Sequence, residues 1–246
     1  MGIRRGSIST PIIADGLVFN MDAANRASYP KTGTTVTDTI SKETGSLVNN
    51  TFFIDVPTSA SCWSFDQTDD SIDIGSPTSI QSLTPAITIG SWFKAPRTFS
   101  QNYYTLASKG TYAAAGSQWS IQINTANERN TAGGTFQTFS AANGIDGREN
   151  LSFPTPVDDN QWHYMVFIND GTDLKVYIDG VLDATGTGQG STLYNGDRTL
   201  KLGMLTSGTT QELLGEIANI HIYNRALSSN EVLHNYNALK GRFGLT

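Results

Sequence analysis

The sequence predicts an all-β fold of two antiparallel sheets packed face to face, closed by one short C-terminal helix. Three observations carry that prediction. Short stretches of alternating apolar and polar residues recur along the chain, and QWSIQIN at 118–124 shows the pattern well: Trp119, Ile121 and Ile123 share one face, Gln118, Ser120 and Gln122 the other. Charged residues make up only 15% of the chain while aromatics reach 10% and there are 24 glycines, a mixture suited to many strands joined by polar turns. Only one stretch, near the C-terminus, carries a helical period with a capping signal. A sandwich of this kind can occupy all 246 residues as one unit, and no fixed-period repeat or internal linker divides them.

The elements follow in order. Residues 1–14, broken by Gly, Ser and Pro, read as an N-terminal arm, and 15–246 as a single domain. GLVFNMD at 16–22 alternates Leu17, Phe19 and Met21 against Val18, Asn20 and Asp22, as a first strand does. Segment 24–50, rich in Thr, Ser, Gly and Asn, is expected on the surface with short strands at 35–39 and 45–48. Strands are then predicted at CWSF (62–65), SIDI (71–74), ITIGSWFK (87–94), YYTLASK (103–109) and QWSIQIN. Segment 125–156 carries Asn-Gly and Asp-Gly pairs at 143–144 and 146–147, which predicts a long decorated loop with one strand, TFQTF at 135–139.

In QWHYMVFINDGTDLKVYIDGVL, 161–182, Trp162, Tyr164, Val166 and Ile168 line one face of a strand and His163, Met165 and Phe167 the other, so both faces are expected to be covered. Asp170-Gly171 lies in a hairpin connection, and Asp179-Gly180 makes a tight turn in which Gly supplies the positive φ. TLKLGM (199–204) and LLGEIANIHIYN (213–224) complete the strands, about ten to thirteen in all for a two-sheet architecture. Ser228 opens a capping box with Glu231. Val232, Tyr236 and Leu239 then share one helical face and Gly241 follows the last turn. The tryptophans Trp63, Trp92, Trp119 and Trp162 fall in or beside strands and are assigned to the core.

A net charge of −6 argues against duplex nucleic acid or an anionic membrane surface as the main partner. No apolar run approaches the roughly 18 to 20 residues that span a bilayer, so no membrane insertion is expected. The start, MGIRRGSISTPIIADG, lacks the continuous apolar segment of a secretory signal. Cys62 has no second cysteine to pair with and is expected to be a small buried residue.

SFDQTDDSIDI (64–74), ITIGSWFK (87–94), LASKG (106–110), DDNQWHYMVFINDGTDLKVYIDGVL (158–182) and LLGEIANIHIYNRALSSNEVLHNYN (213–237) resemble, in that order, laminin-G-like domains of the concanavalin A-like lectin/glucanase superfamily. The resemblance implies a jelly-roll sandwich. GLVFNMDAANRASYP (16–30) and HNYNALKGRFG (234–244) resemble the ends of laminin-G-like virion proteins of tailed bacteriophages. That narrower likeness implies a non-enzymatic structural protein, a capsid decoration or tail appendage. It would fold in the host cytoplasm, assemble in several copies with other virion proteins and contact host-surface glycans. The alternative is a free carbohydrate-binding lectin-type module; a glycoside hydrolase is the remote alternative.

The hydrolases of that superfamily carry a Glu-x-Asp-x-Glu strand that sets two carboxylates about 5 Å apart. Glu43, Glu128, Glu149, Glu212, Glu216 and Glu231 make no such pattern, and no Gly-x-Ser-x-Gly elbow accompanies His163, His221 or His234, so no catalytic residue is assigned. Asp66, Asp69 and Asp70, with Asp73 nearby, form the densest acidic group and the candidate calcium site; Asp22 near the first strand and Glu216 near the last are a second pair that could lie close in space. Tyr103, Tyr104, Tyr112 and Asn143 are the candidate glycan contacts through ring stacking and amide hydrogen bonds. Arg4 and Arg5 are the candidate virion-docking residues.

Overall fold

A computed structural model of the chain describes residues 11–56, 60–81, 83, 86–97, 103–110, 118–124, 133–139, 148–188, 190, 193–194, 196–206 and 211–246. Its strands are β1 (Leu17–Asp22), β2 (Thr35–Thr37), β3 (Thr44–Val48), β4 (Phe52–Ile54), β5 (Cys62–Asp66), β6 (Ser71–Asp73), β7 (Ile87–Pro96) and β8 (Tyr103–Lys109). They continue as β9 (Trp119–Asn124), β10 (Gly134–Phe139), β11 (Arg148–Phe153), β12 (Asp159–Asn169), β13 (Leu174–Ile178), β14 (Val181–Gly186), β15 (Leu200–Leu202) and β16 (Leu214–Tyr223). One helix, α1 (Ser229–Leu239), runs into a 3-10 turn at Lys240–Phe243.

The strands form two antiparallel sheets. The first has the order β14-β13-β12-β7-β16-β5-β4, with β1 on the far half of β16; the second has the order β11-β10-β9-β8-β15-β6-β3-β2. The main core lies between them, built from Phe19, Trp63, Phe93 and Phe167 of the first sheet and Trp119, Ile121, Phe136 and Leu202 of the second. This is the predicted sandwich. Alternation is what creates it, because each strand sends every second side chain inward.

Strand β12 departs from simple alternation because both of its faces are buried. Met165 and Phe167 enter the main core, while Tyr164, Val166 and Ile168 enter a second core on the outer side of the first sheet. That second core exists because α1 and the 3-10 turn lie across the sheet. Trp92 stacks on Phe243 at 4.1 Å, on Tyr164 at 5.4 Å and on Tyr236 at 5.6 Å. Ser228 caps the helix as predicted, accepting from the Glu231 amide, while the Glu231 carboxylate accepts from the Ser228 amide. Arg225 closes on Glu231 through two contacts, at 2.6 and 3.0 Å, and chiefly this pairing holds the Glu231 carboxyl down at about 2. Among the described residues no helix is long and apolar enough to cross a membrane.

The first and last described segments meet. Arg242 grips Asp22 bidentately at 2.6 and 2.9 Å. Ile13 donates its amide to Asn235 Oδ1 at 2.8 Å, and its carbonyl accepts from Tyr223 Oη at 3.0 Å, so this stretch lies against α1. The Asp179-Gly180 turn joins β13 to β14 with both residues at positive φ, 51° and 84°, the geometry a two-residue hairpin requires.

Three sequence expectations are corrected. Segment 24–50 is not merely surface: Tyr29, Val36, Asp38 and Leu47 are buried, and Asp38 accepts from the amides of Asn20, Ile40 and Ser41, which offsets the cost of enclosing a carboxylate. Segment 125–156 holds a second strand, β11, paired along its length with β10; RENLSF hides this because only Leu151 and Phe153 turn inward. The described residues contain sixteen strands, and edge strand β4, three residues long, gave no periodic signal.

Candidate functional site

A polar row crosses the outer face of the second sheet from strand to strand. Across successive strands Thr35 faces Ser46, Ser46 faces Asp73, and Asp73 faces Lys201. The row continues through Ser108, Ser120, Gln137 and Asn150. A second row beside it runs Thr105, Gln122, Thr135, Ser152. Each of these side chains is the outward partner of a core residue, so the same alternation that builds the sandwich lines up the row.

The middle of this face is closed and its ends are open. Ser108, Ser120 and Thr105 are fully buried; Gln137, Asn150 and Thr135 are half-buried, and Ser152 is exposed. Ser120 Oγ donates to Gln137 Oε1 at 3.1 Å, Gln122 Nε2 to Gln211 Oε1 at 2.5 Å, and Ser108 Oγ to the Met204 carbonyl at 3.1 Å. Two polar atoms here, Thr105 Oγ1 and Asn150 Oδ1, are enclosed without a partner among the described residues. Each such group costs about 1–3 kcal/mol. Amides and hydroxyls in this density suit a polyol. Asp73 is the one carboxylate in the row, and it faces Lys201 at 3.7 Å, so the row itself offers no acid and nucleophile pair.

Of the predicted glycan contacts, Tyr103 is half-buried and shares this face with Thr105. Tyr104 is corrected: adjacent strand residues point to opposite faces, and its fully buried ring belongs to the main core, leaving no surface on which a sugar could stack. Tyr112, Asn143, Arg4 and Arg5 lie outside the described residues. The residues that sequence reasoning missed are Gln122, Gln137 and Asn150. The available signal was the polar half of QWSIQIN and TFQTF, which reads equally well as a solvent face.

Asp66, Asp69 and Asp70 do converge, in the turn between β5 and β6, with carboxylate oxygens within 4.8 Å of one another. Asp66 and Asp69 are exposed, whereas Asp70 is 3% exposed. The Asp70 carboxylate accepts from the Asp66 amide at 3.1 Å, through Oδ2, and also faces the Asn50 amide. Burial first, then the charge of Asp66, raises the Asp70 carboxyl above its ordinary value. Three carboxylates converging this closely offer the hard oxygen ligands that calcium takes. Asp73 belongs to the polar row instead. Asp22 and Glu216 are each neutralised elsewhere, by Arg242 and by Lys94.

The histidines are held structurally. His163 lies between Asp179 at 2.8 Å and Asp159 at 3.2 Å; burial lowers its pKa, but these two carboxylates outweigh it and the net shift is upward. His221 is buried against Tyr164 Oη at 2.6 Å, and His234 meets the Pro11 carbonyl at 3.0 Å. Burial, then the nearby Glu216 carboxylate, pushes the Cys62 thiol far up, which removes it as a nucleophile.

Residues 66–233 match the laminin-G-type family model described as the concanavalin A-like lectin/glucanases superfamily. A search of curated proteins finds no match. Among solved structures, the binding domain of botulinum neurotoxin DC in complex with SialylT is similar with a TM-score of 0.66 and 14% identity, over 92% of this chain and 52% of that one. The binding domain of Paraclostridial Mosquitocidal Protein 1 gives 0.68 and 14%, over 91% and 52%. The receptor-binding domain of the botulinum neurotoxin C/D mosaic serotype gives 0.67 and 17%, over 91% and 51%. The chain therefore spans about half the length of these binding domains, and at such identities the likeness concerns the fold.

Proposed function

We propose that this chain, which belongs to the concanavalin A-like lectin/glucanases superfamily, is a non-enzymatic binding domain that holds saccharide against the polar outer face of its second sheet. The observation that carries the reading is the unbroken polar row from Thr35 to Asn150, whose Gln137 and Asn150 end, with Thr135 and exposed Ser152 beside it, stays open. It is supported by the similarity to domains whose structures are described as binding domains, one of them in complex with SialylT. A glycan array probed with the whole chain is expected to give signal that Gln137→Ala and Asn150→Ala each weaken by about tenfold, the worth of one hydrogen bond to a half-buried amide. An array without signal, or signal indifferent to both changes, would count against this face.

We further propose that the domain is displayed on a tailed-phage virion, folds in the host cytoplasm, and assembles there in several copies with capsid or tail proteins. The two stretches that resemble phage virion proteins, 16–30 and 234–244, form one structural unit through the Asp22–Arg242 pair, which supports treating their likeness as one feature. In this reading residues 1–14 tether the domain, with Arg4 and Arg5 docking on an acidic neighbour. Mass spectrometry of purified particles is expected to contain the chain, and deletion of residues 2–10 is expected to leave it folded but unassembled. A truncated chain that still enters particles normally sinks the tether.

Asp66, Asp69 and Asp70 are proposed to take calcium. At a free concentration about a hundred times the dissociation constant the ion would add about 2.7 kcal/mol of stability. Millimolar calcium is therefore expected to raise the melting temperature, chelator to reverse the rise, and Asp70→Asn to abolish it. A melting temperature unmoved by calcium would reject the site.

A further inference from the structure

On the opposite side of the molecule, the outer face of the first sheet opens at one end into a cleft of about 200 Å³. Its polar wall is a cross-strand row: Ser64 of β5 faces Glu216 of β16, which faces Lys94 of β7. Asn160 stands at the rim, in the bulge of β12, with φ at 63°. Pro96 and Leu214, both half-buried, supply the apolar wall. The row ends in an aromatic on each side, Phe52 opposite Ser64 and Trp162 opposite Lys94. Phe52 is 65% exposed. At Gly215 a Cβ would fall 2.3 Å from the Lys94 carbonyl, so β16 can close on β7 here only with glycine.

The geometry points to this cleft as a second ligand site, separate from the polar face of the other sheet, that takes a single pyranose ring by a vicinal diol. Lys94 Nζ lies 3.0 Å from Glu216 Oε2 and 5.5 Å from the Trp162 ring centre. The pair is electrically balanced, so it offers no surplus charge to an anion or a cation. A zwitterion would have to pull the two groups apart to meet each with its opposite. A diol need not, because each hydroxyl can donate to the carboxylate and accept from the ammonium while the pair stays closed.

The remaining groups have the same bias. The Ser64 hydroxyl and Asn160 amide present a donor and an acceptor each at the rim, and the apolar wall matches the C–H face of a sugar ring. The volume lies below the range of about 300–1,000 Å³ typical of drug-sized ligands and limits the cleft to one ring, with Trp162 and Phe52 placed to stack on neighbouring residues of a chain.

The test is a titration of the whole chain with glucose, galactose and N-acetylglucosamine, each followed by amide NMR shifts. At least one sugar is expected to move the amides of Ser64, Lys94, Asn160, Gly215 and Glu216 as a group. Glu216→Gln and Lys94→Met are each expected to weaken that binding by about tenfold or more, as loss of a charge-assisted hydrogen bond does. Shifts confined to Thr105, Gln122, Gln137 and Asn150 would support the face on the second sheet and overturn this cleft. No shift at the cleft with any of the three sugars, or unchanged affinity in Glu216→Gln with its fold intact by the same spectrum, would overturn it too.

Discussion

Trp92→Ala is expected to lower the unfolding free energy by about 3–5 kcal/mol, the range for deleting a buried aromatic ring, and to loosen the C-terminal helix from the sheet. Trp92 is fully buried and stacks with Tyr164 on one neighbouring strand and with Tyr236 and Phe243 from α1 and the turn after it. Its indole N–H has no hydrogen-bond partner among the described residues, so the ring's value lies in contact area and stacking. Trp92→Phe, which keeps a ring in the stack, is therefore expected to cost much less. Since domains are stable by only about 5–15 kcal/mol, the alanine variant stands near its limit. Denaturant unfolding measures the cost, and limited proteolysis after Tyr223 reports whether the helix detaches first. A cost below about 1 kcal/mol would mean that the second core does not couple the helix to the sheet.

The fold was legible because its determinants are local. Asp179-Gly180 announces its turn in two residues, and the alternation of Trp119, Ile121 and Ile123 announces a face in six. β12 was readable as covered on both sides because apolar residues occupy both parities. The same parity rule corrects Tyr104: two adjacent tyrosines in one strand cannot both face a ligand, and the neighbouring Leu106 of the core belongs to the parity of Tyr104.

Sites were less legible because they are assembled across strands. Asp66, Asp69 and Asp70 are close in sequence and so were visible as a group. Lys94 and Glu216 face each other only because β7 and β16 are neighbours, a pairing that no local pattern encodes. The polar row was hidden for a different reason: Ser120 and Gln122 have the pattern of solvent-facing strand residues, and only the fold shows Ser120 wholly buried and Gln122 nearly so.

The acid stability of the protein is expected to turn on His221. Its ring is buried beneath the helix, and burial pushes its pKa down to about 3 from an ordinary value near 6.5. Burial holds Tyr164 far above its ordinary range, so Tyr164 keeps its proton and can donate it to Nε2 at 2.6 Å, which favours the neutral imidazole. Gly90 makes the pairing possible, since a Cβ there would lie 2.3 Å from Nε2. The folded state thus refuses a proton that the unfolded chain accepts below about pH 6.5. Stability is lost as pH falls from about 6.5 toward about 3, by at most about 5 kcal/mol for a shift of this size.

His163 works in the opposite sense. Its pKa is raised by Asp179 and Asp159, so its contribution is full in acid and fades as pH rises through that raised value. The two are separable by mutation. His221→Phe is expected to be less stable than the parent at pH 7, because the enclosed Tyr164 hydroxyl loses the imidazole that accepts its proton, yet to lose less stability between pH 6 and pH 4. Urea unfolding across that interval measures both slopes. Parallel slopes would mean that His221 titrates normally and that the space between sheet and helix admits water.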